Sequence, residues 1–560
     1  MGELKIEVVD FNKNALKQIN DPLLDRYPIV YILNDSEPKP TAYIGQTVQV
    51  KNRMANHLKN PERKKLDKMI LIGHEKFNQS ATYNIETNLI NYFIADNHYK
   101  LQNRSQISQM ATHNYYEKET FHSTLFEELW LELQKEKLVK HSLEVLRNRD
   151  VFKLSPFKEL STSQLELKEM IIDFCKQNIN NNRKAVFLIK GDAGTGKSVV
   201  LSSTFNTIQD LAKDKQTQYY DHSLQGTNNY LLVNHNEMLK TYHSIAESLP
   251  NLKKNNFQKP TIFLNKMKRE NKMADITFVD EAHLLLSRED NFNGFTDNNQ
   301  LEEIIKHSKV TVIVYDERQY LKIKSHWSDD LLKRITKNVY TKPFTLTDQF
   351  RMQASDEIIE WIDAFVERKI QPLPPQNDET FEFKVFDYAG EMKRAIEEKD
   401  RKYKLSRIVS TFDYEHKKDG ADYYIKEPGF EQVWNRTDYK NTWAEEPETI
   451  NEVGSIYTIQ GFDLNYVGVI LGPSVGYDSR THSLKIDIKQ YKDREAFRGE
   501  SGATKQQNPQ QLKEQIVLNS INVLMKRGVK GLYIYASNEE LRKVLMNGGR
   551  PLESGNHKTD

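Results

Sequence analysis

The stretch that decides the fold is GDAGTGKS at residues 191–198. It follows an apolar run at 185–189 and precedes a helical pattern at 199–212, which places it between a strand and a helix. Glycines let the backbone wrap around a phosphate that faces the helix N-terminus, and they stand at Gly191, Gly194 and Gly196. Lys197 is expected to reach the β- and γ-phosphates, and Ser198 to ligate Mg²⁺. The stretch therefore predicts an ATP site with Mg²⁺ as its cofactor.

A second strand candidate, residues 276–279, ends in two adjacent carboxylates. Asp280 is expected to hold Mg²⁺ through water, and Glu281 to polarise the water that attacks the phosphate. Taken alone, an Asp–Glu pair at a strand end is usually a solvated turn. Because this pair follows a phosphate loop, we interpret it as part of the machinery that hydrolyses ATP.

Further apolar runs alternate with helical patterns in two parts of the chain. They lie at 185–189, 230–233, 276–279 and 310–314, and then at 408–410, 467–471 and 532–535. Strands that alternate with helices predict parallel sheets covered on both faces. We therefore predict two α/β domains, 151–343 and 344–545, the second interrupted by a polar insertion at about 474–511. Residues 546–560 are predicted to form a disordered tail.

More motifs follow in the order found in superfamily 1 helicases, and about residues 151–540 most closely resemble the Schlafen-type helicase-like group. The matching segments are VNHN at 233–236, VYDERQ at 314–319, QFR at 349–351, TIQGFD at 458–463 and NVLMKRG at 522–528. In that family Gln164 corresponds to the glutamine that reads adenine, and Gln319 to the one that senses the γ-phosphate. Gly461 lies in the motif that couples strand binding to ATP. The resemblance implies two RecA-like domains and an ATP-driven motor on nucleic acid.

Two arginines of the second predicted domain also match this family. Arg351 and Arg527 correspond to cations that stabilise the phosphoryl group during transfer. Arginines from a second domain act only when the cleft closes, so ATP is expected to draw the two domains together. Either arginine, taken alone, would be read as a surface ion pair.

The N-terminal part, residues 29–103, resembles a GIY-YIG nuclease domain. The two motifs that give the family its name correspond to IVY at 29–31 and YIG at 43–45. Ile29 stands where the family has the opening glycine, a structural position of the first strand at which the change is tolerable. Asn103 fills the last of the family's functional positions.

Hydrolysis of a phosphodiester needs a base, a cation near the developing charge and a metal. In the family's scheme, a tyrosine, Tyr31 or Tyr43, helps His57 to activate water. Arg53 stabilises the charged phosphorane, and Glu86 holds a single Mg²⁺ or Mn²⁺. The spacing of Arg53 and His57 puts both on one face of a helix. The simpler alternative is that these tyrosines are ordinary strand aromatics beside a solvated helix face.

Composition sets limits on the class of protein. The chain has 560 residues with 80 Lys and Arg against 79 Asp and Glu, so net charge gives no argument for a polyanionic partner. Cys175 is the only cysteine, which excludes an intramolecular disulfide and a cysteine-based zinc cluster. The sequence has no apolar run of 18 residues and no signal-peptide pattern, so we predict a cytoplasmic protein without a membrane segment.

The predicted fold is α/β: a small GIY-YIG-like domain at 1–115, a helical connector at 116–150 and two RecA-like domains. We expect an ATP-dependent nuclease and helicase on nucleic acid, DNA rather than RNA, and a role in defence against invading DNA. The connector is expected to hold the two sites apart on one strand. One alternative is a nucleic-acid-activated ATPase switch that regulates the nuclease without unwinding. Another is a helicase with a non-cleaving recognition module, and either form is compatible with an oligomer or a partner protein.

Overall fold

A computed structural model gives the fold of most of the chain. It describes residues 4–104, 117–181, 183–191, 195–213, 222–287, 289, 294–316, 320, 329–346, 352–374, 380–417, 419–437, 439, 443–459, 463–498 and 508–551. Four predicted site residues, Gly194, Gln319, Arg351 and Gly461, lie outside these ranges. So do the Gln-rich end of the insertion at 499–507 and the tail at 552–560.

The N-terminal unit is a five-stranded sheet with helices on both faces. Its elements are β1 Lys5–Asp10, α1 Lys13–Gln18, α2 Pro22–Asp25, β2 Ile29–Asn34, β3 Thr41–Thr47, α3 Val50–Lys59, β4 Lys68–Gly73, α4 Gln79–Asp96 and β5 Lys100–Leu101. The strand order is β1-β4-β2-β3-β5, antiparallel except for the parallel pair β3–β5. All six residues of β2 are buried, because α4 covers one face and α1 to α3 the other. The strands predicted around residues 29–33 and 42–44 are confirmed.

The connector is helical but divided into short pieces. These are α5 Lys118–Thr120, a π-helical turn Phe121–Leu125, α6 Phe126–Lys135, α7 Leu143–Asn148 and α8 Asp150–Lys153. After α6 the chain reverses through Lys137, whose φ is 58°. The Asp96 carboxylate at the end of α4 then accepts hydrogen bonds from the Lys140 and His141 amides and from His141 Nδ1.

The connector is not a free spacer, and whether it places the two sites apart on one strand stays a prediction. Its aromatic side chains pack on α4, with the Tyr92 ring 5.2 Å from Phe126 and 5.3 Å from Trp130. One hydrophobic core runs from the N-terminal sheet through the connector into the first parallel sheet. Burial of these large rings outweighs any tendency of the segment to extend as a free spacer.

The first parallel sheet follows the connector. Its elements are α9 Thr162–Asn178, β6 Ala185–Gly191, α10 Lys197–Lys213, β7 Asn229–Val233, α11 Asn236–Ser248, β8 Phe257–Gln258, α12 Pro260–Glu270, β9 Ala274–Asp280, α13 Gln300–Lys306, β10 Ser308–Tyr315, α14 Asp329–Thr336 and β11 Tyr340–Leu346. The strand order is β11-β6-β10-β9-β7-β8, and every pair is parallel. All four predicted strands are present. Strand β11 also belongs to this sheet, so the first domain extends beyond its predicted end at residue 343.

The second parallel sheet has a core of its own. Its elements are α15 Asp356–Val366, β12 Glu382–Val385, α16 Ala389–Tyr403, β13 Ser406–Ser410, β14 Tyr424–Glu427, β15 Phe430–Trp434, β16 Glu452–Gly454, α17 Ile456–Ile459, β17 Leu464–Leu471, β18 Val475–Asp478, β19 Ser483–Ile486, α18 Pro509–Met525, β20 Gly528–Ala536 and α19 Glu539–Met546. The order is β12-β20-β17-β13-β16-β15-β14, parallel except for β14–β15. The insertion begins with the separate hairpin β18–β19. In the described parts of the chain, no helix is both long and apolar enough to cross a membrane.

The hydrogen bonds of Asp96 with Lys140 and His141, which join α4 to the connector, give the first prediction. Asp96→Ala removes the acceptor of two backbone amides, and we expect it to weaken the junction locally by about 1–3 kcal/mol. Hydrogen–deuterium exchange at Lys140 and His141 should therefore accelerate, while ATP hydrolysis is retained. The control is Glu136→Ala, at an exposed position of the same connector. Unchanged exchange in Asp96→Ala would show that the aromatic packing alone fixes the connector.

Candidate functional sites

The lysine of the phosphate loop is held at the ends of two strands. Lys197 opens α10 and is buried, and its ammonium donates to the Gly191 carbonyl at 2.6 Å and lies 3.4 Å from Asp316 Oδ2. Glycine is required at 191, because a Cβ there would lie 2.8 Å from the Leu346 carbonyl of β11. Asp316 follows β10 directly and lies in the VYDERQ motif at 314–319, from which the sequence predicted a role only for Gln319. The site thus begins where β6 and β10 end, as the parallel sheet requires.

Asp280, at the end of β9, collects three donors. Its carboxylate accepts from Ser198 Oγ at 3.1 Å, from the Tyr242 hydroxyl at 2.8 Å and from the Glu281 amide at 3.0 Å. Burial and the adjacent Glu281 carboxylate raise the pKa of Asp280. The half-buried Ser198 hydroxyl and the buried Asp280 carboxylate this close together are hard oxygen ligands of the kind that Mg²⁺ prefers, so this pair fits the predicted metal. Tyr242 was not found from the sequence, because its position in α11 reads as a core aromatic.

Glu281 has an unusual backbone and a cationic surrounding. Its φ of 51° lies in the left-handed region, where strain in a residue other than glycine is a mark of functional sites. Its Oε2 lies 2.9 Å from Nε2 of the buried His283. Burial alone would raise the pKa of Glu281, but the charges of His283, Lys197 and Arg527 outweigh it and lower the pKa. Glu281 is therefore an ionised carboxylate beside the phosphate loop.

Arg527 approaches this carboxylate from the second sheet. It lies between α18 and β20, its side chain is 1% exposed, and its carbonyl accepts from the Leu464 amide at 2.9 Å. It lies near enough to Glu281 and His235 to lower the pKa of each, and burial, the larger cause, brings the pKa of His235 to about 4. The cleft between the two parallel sheets thus brings together Lys197 and Arg527 around Glu281.

Gln164 lies in the first turn of α9 and performs two local roles. Its Oε1 accepts from the Ser161 backbone amide at 3.0 Å, and its backbone amide donates to Ser161 Oγ at 3.3 Å. These two hydrogen bonds form a capping box. Its Nε2 also donates to the Thr195 carbonyl at 3.4 Å. The predicted adenine-reading side chain therefore touches the phosphate loop, and the adenine role itself stays a prediction.

The second site is built on the N-terminal sheet, where Tyr31 of β2 faces Gly45 of β3. A Cβ at position 45 would lie 2.4 Å from the Tyr31 phenol oxygen, so only glycine lets the phenol cross the neighbouring strand. Asn103 fixes the same strand, since its side chain accepts from the Ile44 amide at 3.1 Å and donates to the Ile44 carbonyl at 2.8 Å. The structure thus gives a direct reason for the glycine at 45 and the asparagine at 103.

The predicted tyrosine, arginine and histidine meet at this sheet. The Tyr31 hydroxyl lies 2.7 Å from His57 Nε2, and Arg53 Nε donates to the same hydroxyl at 3.1 Å. The Tyr43 ring lies 5.2 Å from the His57 ring. Burial raises the pKa of Tyr31, against the lowering charge of Arg53. Because Arg53 donates to the phenol oxygen, the phenol proton is free to point at His57 Nε2.

Glu86 projects from α4 and is 6% exposed. Burial raises its pKa to about 8, and Arg53 is the opposing charge. No cluster of three or more His, Cys, Asp or Glu residues suited to a metal occurs in the described parts of the chain. A single carboxylate whose charge is costly in isolation fits one divalent cation, with the remaining ligands from water or phosphate. This agrees with the predicted single-ion site without testing it.

Arg63 also belongs to this site, although the sequence did not indicate it. Its guanidinium lies 3.5 Å over the Tyr43 ring, and its Nη1 is 3.3 Å from His57 Nε2. The surrounding sequence, NPER at 60–63, reads as a solvated turn after a helix. The turn lies beside Tyr43 only in the folded protein, so its sequence gives no sign of this contact.

Comparison with known proteins defines the class to which this chain belongs. Residues 184–538 match the Schlafen group 3 DNA/RNA helicase domain, and the chain belongs to that family. The chain is 40% identical over 415 residues to the Saccharomyces cerevisiae relative named Uncharacterized protein YPL245W, which covers 69% of this chain and 90% of the relative. The helicase resemblance predicted from the motifs is confirmed for residues 184–538.

Solved helicase structures are similar at low identity. The Pif1 helicase from Candida albicans is 12% identical with a TM-score of 0.28, over 70% of this chain and 99% of that one. The Sulfolobus solfataricus SWI2/SNF2 ATPase core, solved with dsDNA, is 9% identical with a TM-score of 0.25, over 70% of this chain and 91% of that one. TM-scores of this size carry no functional argument.

The position of Arg527 gives the second prediction. Arg527→Ala should lower kcat for ATP hydrolysis by about 10³-fold with a smaller change in ATP affinity, since the cation acts on the transition state. Steady-state ATPase rates and nucleotide binding measure the two effects. Arg394→Ala, at an exposed arginine of the same domain, is the matched control. A loss of affinity at unchanged kcat would contradict this role.

Proposed function

We propose that this chain is an ATP-driven motor that moves on nucleic acid, DNA in preference to RNA, and cleaves it with its N-terminal domain. The observation that carries the proposal is the presence of two separate constellations in one chain. One surrounds Lys197 and Asp280, and the other surrounds Tyr31 and Glu86. A role in defence against invading DNA follows from the pairing of a motor with a nuclease.

In the proposed motor, Lys197 binds the β- and γ-phosphates, and Ser198 and Asp280 hold Mg²⁺. When bound, Mg²⁺ neutralises charge on the phosphate oxygens. Glu281 orients the attacking water and takes its proton, a role that its ionised state and its position beside the loop support. Arg527 stabilises the transferring phosphoryl group from the second domain. The charge of Arg527, which lowers the pKa of Glu281 across the cleft, supports a closing movement of the two domains.

In the proposed nuclease, Tyr31 and His57 form the proton path. The phenol lies within hydrogen-bond distance of His57 Nε2, so a proton from the attacking water can pass through Tyr31 to the imidazole. Arg53 stabilises the charge on the phosphorane. Glu86 holds Mg²⁺ or Mn²⁺, which supplies a Lewis acid for the phosphodiester when bound.

One observation favours the second candidate, an ATPase switch that regulates the nuclease without unwinding. The segment before α9 touches the second domain: the Asp150 amide donates to Glu445 Oε1 at 2.8 Å, and Lys153 Nζ to the Asp463 carbonyl at 3.2 Å. Asp463 ends the motif that corresponds to strand coupling. Movement of the second domain therefore reaches the connector that packs on α4.

Lys197→Ala tests the motor. Removing the phosphate-binding ammonium should abolish ATP hydrolysis, and Lys213→Ala at the exposed end of the same helix should not. Stimulation of the wild-type ATPase by polynucleotide, measured together with strand displacement, separates a motor from a switch. A Lys197→Ala protein with near wild-type turnover would contradict the phosphate-loop assignment. Stimulated hydrolysis without displacement would favour the switch.

Glu86→Ala tests the nuclease. Loss of the only carboxylate proposed for the ion should eliminate cleavage in Mg²⁺ and Mn²⁺, while ATP hydrolysis in the other site continues. Cleavage of single-stranded, duplex and branched DNA and of RNA is compared with that of Glu75→Ala, an exposed control. Cleavage by Glu86→Ala at the wild-type rate would make the N-terminal domain a recognition module.

A further inference from the structure

Arg63 is held in place by a built turn. It ends the 3₁₀ turn Pro61–Arg63, where the Asn60 side chain accepts from the Glu62 amide at 2.9 Å. The Glu62 carbonyl accepts from Gln102 Nε2 at 2.9 Å, and its carboxylate pairs with Arg104 at 2.8 Å. Gln102 and Arg104 flank the asparagine that fixes β3. The turn is therefore anchored through this segment to β3, the strand that carries Tyr43.

The guanidinium of Arg63 lies in the site and has a hydrogen-bond donor without a partner among the described residues. One face lies 3.5 Å over the Tyr43 ring, and Nη1 points to His57 Nε2 at 3.3 Å. Its Nε is buried and has no hydrogen-bond partner among the described residues. A buried donor without an acceptor is costly, so a bound acceptor is expected beside it.

The charge of the site also calls for an anion. Arg53 Nε lies 3.1 Å from the Tyr31 hydroxyl, and Arg63 Nη1 lies 3.3 Å from the His57 Nε2 that faces the same hydroxyl at 2.7 Å, so two guanidinium groups meet at one hydroxyl–imidazole pair. Among the described residues, neither forms an ion pair with a carboxylate. The remaining carboxylate, Glu86, is assigned to the metal. Two adjacent unpaired arginines match the non-bridging oxygens of a phosphodiester.

We propose that Arg63 is a second phosphate-binding residue of the nuclease site, which contacts a non-bridging oxygen of the scissile phosphodiester beside Arg53. This inference rests on the proposed nuclease function. Arg63 transfers no proton: the water oxygen bonds to phosphorus, its proton passes through Tyr31 to His57, and the P–O bond to the leaving strand breaks, whose oxygen takes a proton from solvent. Nη1–H of Arg63 also requires Nε2 of His57 to be an acceptor, which is the form a base needs.

The test uses single-turnover cleavage of DNA by the full chain in Mg²⁺, with protein in excess. Arg63→Ala should slow cleavage by about 10²–10³-fold, the loss typical of one donor to a developing charge. Arg63→Lys should recover part of this rate, and Arg63→Met should recover none, because Met keeps the packing on Tyr43 without the charge. Lys64→Ala, at the exposed neighbouring position, should cut as wild type does. ATP hydrolysis by every variant reports that the chain is folded.

Added guanidinium provides a readout that a purely structural role would not move. It should restore cleavage by Arg63→Ala and leave Lys64→Ala unchanged. Equal rates for Arg63→Lys and Arg63→Met would overturn the inference in favour of packing, and faster cleavage by Arg63→Ala would make Arg63 a plug of the site. If Arg63→Ala cleaves at the wild-type rate, the inference about Arg63 is overturned and the proposed nuclease function is not. A wild-type protein that does not cleave overturns the proposed nuclease, and this inference with it.

Discussion

Helix α4 is buried along most of its length, and the arrangement of the N-terminal half depends on that burial. One side covers the N-terminal sheet, and the other receives the connector through Tyr92 and Asp96. Polar groups so deeply buried must find partners, as Asn91 does when it donates to the Phe157 carbonyl at 2.9 Å. A helix that satisfies these contacts has one position, so Glu86 on it is fixed relative to Tyr31.

The two candidate sites use the same electrostatic device. In each, burial raises the pKa of a carboxylate, Asp280 in one and Glu86 in the other. Such a group is costly to ionise without a cation, and a divalent metal removes that cost. They differ in the second cation. Arg527 belongs to the second domain, whereas Arg53 in α3 and Arg63 in the following 3₁₀ turn belong to the same N-terminal unit as Glu86.

Strong local signals allowed much of the fold to be predicted. The buried strands are continuous apolar runs, and at Gly45 and Gly191 a Cβ would collide with a group of the neighbouring strand. Two site residues whose partners are distant in the sequence were not predicted. Arg63 looks like a solvated turn and Tyr242 like a core aromatic, because nothing local records which groups they meet. The connector was read correctly as helical, but its reversal at Lys137 depends on the distant Asp96 carboxylate.

The nature of the two junctions decides which parts move together. The N-terminal unit, the connector and the first parallel sheet share one apolar core, while the second parallel sheet has its own. The junction of the connector with the second sheet includes hydrogen bonds such as those of Asp150, Lys153 and Asn148. Each is worth about 0.5–1.5 kcal/mol, whereas separating a packed aromatic core exposes far more apolar surface. In the proposed motor, closure of the cleft would therefore move the second domain relative to a body that contains the Tyr31 and Glu86 site.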